Sequence, residues 1–211
     1  MIGDAQVAAA REALLCGGLA IVPTDTVYGL AAALDSEEGM DALYALKGRT
    51  RSQPCQLLIY TEPLLAEALA PLDELTVLAV RALLPGPVTC IVSDPTGRYA
   101  AATGDQRGTV GLRAPLMDGA IRSLDIALVA TSANDPTGPD PAAVNDIPIR
   151  LRHDGIVTLD AGRLPGTASA VVDLGEVETL GQARLLRAGP APADISRRLA
   201  SVGVLVIDTP R

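Results

Sequence analysis

Several groups of hydroxyl, amide and cationic side chains interrupt otherwise apolar stretches of this chain. Arg and Lys supply positive charge for phosphate or carboxylate groups, Arg as a planar fork and Lys as a point charge. Ser, Thr and Asn supply neutral hydrogen bonds for a sugar, a base edge or an amino-acid head group. Together they predict a site for a triphosphate or a carboxylate. The residues are Thr24, Asp25 and Thr26; Lys47 and Arg49; Thr109 and Arg113; Thr131, Ser132 and Asn134; Ser169 and Arg187.

Each group also has an ordinary structural explanation. Lys47 near a helix C-terminus favours the helix dipole, and the segment "TSAND" is good turn chemistry. Thr24 and Thr26 fit a strand because threonine is β-branched. Taken singly, no group distinguishes a ligand site from local structure, so the prediction depends on the groups meeting in space.

Other kinds of site have little support in the sequence. It has no GxxxxGK[ST] segment, no GxGxxG after a strand and a single histidine, His153, in the charged segment "RLRHDG". The three cysteines form no CxxC pair, so neither a zinc site nor a disulfide framework is indicated. These observations favour positioning and charge stabilisation, as in nucleotidyl or phosphoryl transfer, over attack by an enzyme nucleophile.

The elements that must position these groups alternate irregularly between strand and helix patterns. The chain of 211 residues is 48% hydrophobic with no Trp or Phe, so the core must be built from Leu, Val, Ile and Ala. We predict an α/β domain with a mixed, twisted sheet, whose strand ends gather the polar groups at one crevice. Predicted strands cover 19–23, 27–33, 55–60, 88–92, 109–113, 126–131, 155–160, 169–174 and 182–187; predicted helices cover 4–16, 36–48, 62–84 (one or two), 116–124, 142–152 and 193–202.

Charge and hydropathy limit the partners. The formal charge of −8 argues against binding nucleic acid through a bulk basic surface. No run of about 18 apolar residues occurs, so we expect no membrane span and a cytoplasmic protein. Residues 1–189 are predicted to form one domain, and 190–211 a short tail or a docked helix.

Seven segments, taken in order, resemble the YrdC family: "GGLAIVPTDTVYGLAA", Lys47 and Arg49 followed by Pro54, "LPGPVT", "VGLRAP", "TSAN", "ASAVVD" and "LLRAG". The resemblance runs from about residue 5 to 189. It implies a twisted mixed sheet with flanking helices around a large concave, positively charged cavity.

The resemblance also implies a reaction. L-Threonine is carboxylated by bicarbonate, and the carbamate attacks the α-phosphorus of ATP, which enters with Mg²⁺ as a substrate; no protein-bound metal is expected. The products are threonylcarbamoyl-AMP and pyrophosphate, so the activity is that of a nucleotidyltransferase. The adenylate then passes to tRNA threonylcarbamoyl-transfer proteins for t6A37 modification, with a weak tRNA contact.

The family's functional residues carry over onto matching positions of this chain. Lys47 and Arg49 match its KxR pair and are expected to be catalytic. The resemblance implies that Thr26, Arg113 and Ser169 bind the amino acid, and that Lys47, Arg49, Thr109, Ser132, Asn134 and Arg187 bind the nucleotide.

Three alternatives remain open. Thr50 and Gln53 depart from the family pattern and allow a YciO-like paralogue with weak activity. A non-catalytic RNA-binding module of the same fold is a second alternative. Ala170, which replaces a threonine of the family pattern, allows a third, a related enzyme that adenylates a different amine substrate.

Overall fold

The computed structural model describes residues 2–104, 108–153 and 155–208. In this part of the chain ten strands form one sheet, and seven α-helices pack on it. The strands are β1 (Ala20–Pro23), β2 (Tyr28–Ala33), β3 (Gln56–Leu58), β4 (Val88–Ser93), β5 (Thr109–Arg113), β6 (Leu128–Ser132), β7 (Val157–Thr158), β8 (Ala170–Asp173), β9 (Gln182–Arg187) and β10 (Leu205–Asp208). The helices are α1 (Asp4–Leu15), α2 (Glu37–Lys47), α3 (Glu62–Leu69), α4 (Glu74–Leu83), α5 (Ala100–Thr103), α6 (Val177–Leu180) and α7 (Pro192–Ala200).

The sheet is mixed, which confirms the predicted fold class. Its order is β10-β9-β8-β4-β5-β3-β6-β2-β1-β7. β3 runs parallel to β5 and β4 parallel to β8, whereas β2, β3 and β5 each have an antiparallel neighbour. Sequence neighbours are therefore often separated in space, and the centre of the sheet collects strands from both halves of the chain.

The two faces of the sheet are covered differently. Side chains such as Ile21, Leu57 and Leu112 point to one face, where helices α2 to α7 complete the larger core. Their neighbours, including Val22 and Leu58, point to the other face and join a smaller core with α1. Because α1 packs on β1, β2, β7 and the 3₁₀ turn at Ala120–Ser123, this second face is left partly uncovered over the centre of the sheet.

Helix α2 has clear signals at both ends, and they place Lys47. The Ser36 hydroxyl accepts a hydrogen bond from the Gly39 amide at 3.0 Å, which caps the N-terminus. Gly48 ends the helix with φ +61°, a conformation that glycine adopts without steric cost. Lys47 is therefore the last helical residue, and Arg49 follows one residue beyond the left-handed turn.

Two predicted helices are wrong. Residues 116–124 and 142–152 contain only 3₁₀ turns, at Ala120–Ser123, Val144–Asp146 and Ile149–Leu151. Gly119, with φ +79°, interrupts the first segment, and Pro148 lacks the N–H that a continuous helix through the second would need. Apolar spacing favoured helices there, but these two residues break the backbone pattern.

The segment after residue 189 belongs to the same packed unit. Helix α7 packs against α4 through Ile195 and Leu199, and β10 pairs in parallel with β9. Met1 and residues 209–211, which fall within the predicted domain and tail, lie outside the described residues. Within the described ranges, none of the helices combines the length and apolar character required to cross a bilayer.

Candidate active site

The uncovered part of the second face forms a cavity that is partly open to solvent. Its floor is formed by β2, β3, β5 and β6, and its sides by the turn between β1 and β2 and by the residues that lead into β8. The polar side chains that line it are Thr24, Thr26, Gln56, Arg113, Thr131, Ser132, Ser169 and Arg187. The structure thus brings together five of the residues to which the family resemblance assigns a ligand: Thr26, Arg113, Ser132, Ser169 and Arg187.

The turn between β1 and β2 is held by the Thr24 hydroxyl. This oxygen accepts from the amides of Thr26 and Val27, both at 3.1 Å, and donates to the Val27 carbonyl at 2.7 Å. The Thr26 hydroxyl lies 2.8 Å from the Thr24 hydroxyl. Either hydroxyl can be the donor in this contact, and the Thr26 oxygen has two lone pairs. A lone pair of Thr26 is left to accept a hydrogen bond from a ligand.

Arg113 is held by a buried ion pair. Its guanidinium is 2% exposed and contacts the Asp25 carboxylate and the Gly86 carbonyl, with the Val88 carbonyl at 3.4 Å. The other Asp25 oxygen accepts from the Leu116 amide at 2.9 Å. Burial lowers the pKa of the Arg113 guanidinium, and the Asp25 charge opposes that shift. Asp25 thus links the turn between β1 and β2 to β5 and to the segment that follows it.

Ser169 and Arg187 meet on the far side of the cavity. The Arg187 guanidinium donates to the Ser169 carbonyl at 2.8 Å and to the Ser169 hydroxyl at 3.3 Å. Ser169 is buried, whereas Arg187 is exposed at the end of β9. The contact fixes a cation at the mouth of the cavity, and the guanidinium keeps further donors for a ligand.

Lys47 lies behind the cavity wall, in contact with the segment after β6. Its ammonium donates to the Ser132 carbonyl at 2.8 Å, to the Asn134 side-chain oxygen at 3.2 Å and to the Asn134 carbonyl. Burial, reinforced by the charges of Arg49 and Arg150, lowers the pKa of Lys47 to about 8. Lys47 thus orders the Ser132–Asn134 segment and does not itself line the cavity.

Arg49 connects this cluster to the lining. One of its terminal nitrogens donates to the Thr131 hydroxyl at 3.1 Å, and the other donates to the Pro54 carbonyl at 3.0 Å. Thr131 lines the cavity, so Arg49 is one side chain away from it. Lys47, Arg49 and Asn134 therefore form a group adjacent to the cavity and outside its lining.

Thr109 is separate from these residues. It opens β5, opposite Ser93 of β4, and lies four residues before Arg113 on the same strand face. That separation is about 13 Å along the strand. Thr109 is outside the lining of the cavity, so its predicted nucleotide contact has no geometric support from this site.

Gln56 and Thr89 are cavity-side residues that the sequence interpretation missed. Gln56 lines the cavity from β3, and the Thr89 hydroxyl, on β4, lies 2.9 Å from the Ser169 hydroxyl. Each is a polar residue inside an apolar strand, in "CQLLIY" and "VTCIV". That contrast is a signal that could have identified both. Across the described ranges no group of three or more His, Cys, Asp or Glu side chains could hold a metal ion.

Comparisons with known proteins identify the family of this chain. A profile of the Sua5/YciO/YrdC family, described as "Telomere recombination", matches residues 12–189. A Mycobacterium leprae protein, provisionally named threonylcarbamoyl-AMP synthase, is 33% identical over 204 residues, covering 94% of this chain and 89% of its own. The threonylcarbamoyl-AMP synthase of Chromohalobacter salexigens is 31% identical over 180 residues, 83% of this chain and 96% of its own.

Solved structures are similar over nearly the whole chain. Pyrococcus abyssi Sua5, crystallised in complex with L-threonine, has a TM-score of 0.76 and 25% identity over 98% of this chain. This chain spans only 60% of that longer protein. Escherichia coli YciO has a TM-score of 0.74 at 19% identity, covering 90% of this chain and 91% of its own, which is a likeness of fold.

Proposed function

Because the chain belongs to the Sua5/YciO/YrdC family, we propose that it makes threonylcarbamoyl-AMP and pyrophosphate from L-threonine, bicarbonate and ATP, for t6A37 modification of tRNA. The observation that carries the proposal is the cavity in which Thr26, Arg113, Ser169 and Arg187 face one another. Hydroxyls lie at the turn and on the far side of the cavity, and guanidinium groups reach it from β5 and β9, which suits a ligand that carries both an amino-acid head group and phosphates.

The amino acid would bind between the turn and β5. The free lone pair of Thr26 suits an N–H or O–H donor of L-threonine, whereas the Arg113 side suits its carboxylate. The Asp25 ion pair and the Gly86 carbonyl hold Arg113 before any ligand arrives. Because Arg113 is already held in place, binding of the ligand costs less conformational entropy.

The proposed chemistry needs no enzyme nucleophile. The threonine nitrogen bonds to the carbon of bicarbonate with loss of water, which gives a carbamate. A carbamate oxygen then bonds to the α-phosphorus of ATP, the bond to the bridging oxygen breaks, and pyrophosphate leaves with its electron pair. Charge grows on the α-phosphoryl and pyrophosphate oxygens, where fixed cations stabilise the transition state.

We assign that task to three cations. Arg187 stands at the mouth of the cavity, and Lys47 with Arg49 stands behind the Thr131–Ser132 wall. Lys47 and Arg49 are engaged by protein oxygens, so we propose that they act by orienting this wall and by their charge, together with Ser132 and Asn134. Because the sheet encloses part of the site, it also limits the access of water to the carbamate, which decomposes readily.

The test is pyrophosphate release by the purified protein with MgATP. We expect release that requires both L-threonine and bicarbonate, and a threonylcarbamoyl-AMP peak by mass spectrometry. Release that is independent of L-threonine, or equally supported by other amino acids, would contradict the proposal. A panel of amino acids in the same assay also tests the alternative amine substrate suggested by Ala170.

A second candidate is a weakly active paralogue, and one observation favours it. All three contacts of the Lys47 ammonium are to oxygens of Ser132 and Asn134, which leaves less of this cation for phosphate than a free lysine would offer. Calorimetry together with the pyrophosphate assay separates the two candidate functions. A paralogue would bind L-threonine and ATP in calorimetry yet release pyrophosphate at a small fraction of a family synthase's rate.

A further inference from the structure

A glycine at the centre of the sheet lets two side chains meet above it. β5 lies between β4 and β3, and Gly111 faces Ile91 on one side and Gln56 on the other. A Cβ at Gly111 would lie 3.3 Å from the Thr89 methyl group. Without that side chain, the Thr89 hydroxyl reaches across β5 and donates to the Gln56 side-chain oxygen at 3.3 Å.

This contact is the last link of a chain of hydrogen bonds that begins at Arg187. The guanidinium has only donors, so the Ser169 hydroxyl accepts from it at 3.3 Å. The single Thr89 proton goes to Gln56, so in the 2.9 Å contact between the two hydroxyls Ser169 must be the donor. Every link therefore donates in the same direction, from Arg187 towards Gln56.

The direction of these hydrogen bonds determines which end of the Gln56 side chain faces the cavity. Its oxygen is used by Thr89, and in the described part of the chain no hydrogen bond is found for its amide nitrogen. Every fully buried side-chain nitrogen or oxygen there has a partner, so this half-buried amide reaches the open cavity that Gln56 lines. The cavity floor consequently presents an NH₂ group and requires an acceptor.

We propose that Gln56 is a further substrate-binding residue, whose NH₂ group donates to the carboxylate of the amino-acid substrate, with Thr89 as its positioning residue. The inference rests on the proposed function. Gln56 pairs with Gly111 and Leu58 pairs with Arg113, so Gln56 and Arg113 lie on one face, one diagonal step apart. A carboxylate between them accepts from both, and the hydrogen bond to a charged acceptor is the stronger kind.

The experiment measures binding of L-threonine and of L-threoninol, which carries an alcohol in place of the carboxylate, by calorimetry. For Gln56→Leu we expect roughly 10- to 100-fold weaker binding of L-threonine, the usual range for a hydrogen bond to a charged group. L-Threoninol and ATP should bind as they do to the wild type. Gln56→Glu keeps the shape and should weaken L-threonine binding further, because two carboxylates then face each other.

Thr89→Val keeps the volume and removes the proton that orients Gln56. We expect the KM for L-threonine to rise by roughly 3- to 10-fold, the effect of a neutral hydrogen bond, with kcat unchanged. The matched control is Gln182→Leu, the same substitution at a half-buried residue that opens β9 away from the cavity, and it should bind both ligands like the wild type.

Four outcomes would overturn the assignment. L-Threonine binding by Gln56→Leu within about twofold of Gln182→Leu contradicts it, since a hydrogen bond to a carboxylate contributes more than that. Equal losses for L-threonine and L-threoninol show that Gln56 does not contact the carboxylate, and a loss confined to ATP assigns Gln56 to the nucleotide. A wild type that binds neither amino-acid ligand overturns the proposed function and this assignment together, whereas the first three outcomes leave the proposed function standing.

Discussion

Asp25→Ala tests whether the buried ion pair supports the cavity. The substitution removes the carboxylate that neutralises Arg113, whose side chain is 2% exposed, while that of Asp25 is 13% exposed. The cation would keep the carbonyls of Gly86 and Val88, and the Leu116 amide would lose its acceptor. Removing one partner of a buried pair typically costs about 3–5 kcal/mol, because the remaining charge stays in a poorly solvated place.

Chemical denaturation followed by circular dichroism gives the free energy of unfolding for this comparison. We expect Asp25→Ala to lose about 3–5 kcal/mol, a large share of the roughly 5–15 kcal/mol typical of a domain. At about 2–4 °C per kcal/mol for a chain of this size, Tm should fall by roughly 6–20 °C.

The matched control is Asp125→Ala. Asp125 pairs with Arg11 at the surface, with side chains 59% and 43% exposed, and such pairs contribute about 0–1 kcal/mol. Equal losses for the two variants would refute the reasoning, since burial would then make no difference to the pair. Asp25→Asn should recover part of the loss, because its amide oxygen can still accept from Leu116 or Arg113.

Three further predictions concern activity. Lys47→Ala and Arg49→Ala should each lower the rate of pyrophosphate release by roughly 10²–10³ without unfolding the protein, and near wild-type rates in both would defeat their assignment. Since burial lowers the pKa of Lys47 to about 8, release should decline as the pH rises through 8. The free energy of unfolding should rise between pH 8 and 10.5, because in this range the unfolded state binds more protons at Lys47 than the folded state does. Lys47→Met should remove that pH dependence. Thr26→Val removes the free acceptor and should raise the KM for L-threonine by roughly 3- to 10-fold, whereas a rise in the KM for ATP alone would place Thr26 at the nucleotide.

Local patterns in the sequence were sufficient for most elements. The limits of α2 followed from Ser36 and Gly48, and β5 and β9 were predicted with their observed bounds. Helices α5 and α6 and strand β10 were missed, because each of the two helices spans only four residues and β10 lies in the segment predicted as a tail or docked helix. Short elements of this kind are stabilised by tertiary packing rather than by their own propensity.

The site was harder to predict than the elements, because its contacts join distant parts of the chain. Arg113 and Asp25 are separated by 88 residues, and Lys47 and Ser132 by 85. The residue types indicated cations and hydroxyls, but only the strand order determines which of them meet. Gly111 shows the limit most clearly: its significance is the space between Thr89 and Gln56, and no local pattern predicts that those strands flank β5.

The whole chain is acidic, whereas the cavity is proposed to bind anions, and the contacts of its cations explain how both are possible. The net charge is −8, yet the proposed ligands are anions. Arg113 is neutralised by Asp25, but Lys47 and Arg187 contact uncharged carbonyl and hydroxyl oxygens. Such oxygens fix the position of a cation without cancelling its charge. A locally positive site can therefore exist on an acidic protein, which disfavours diffuse binding of nucleic acid while it keeps preorganised donors for a small anion.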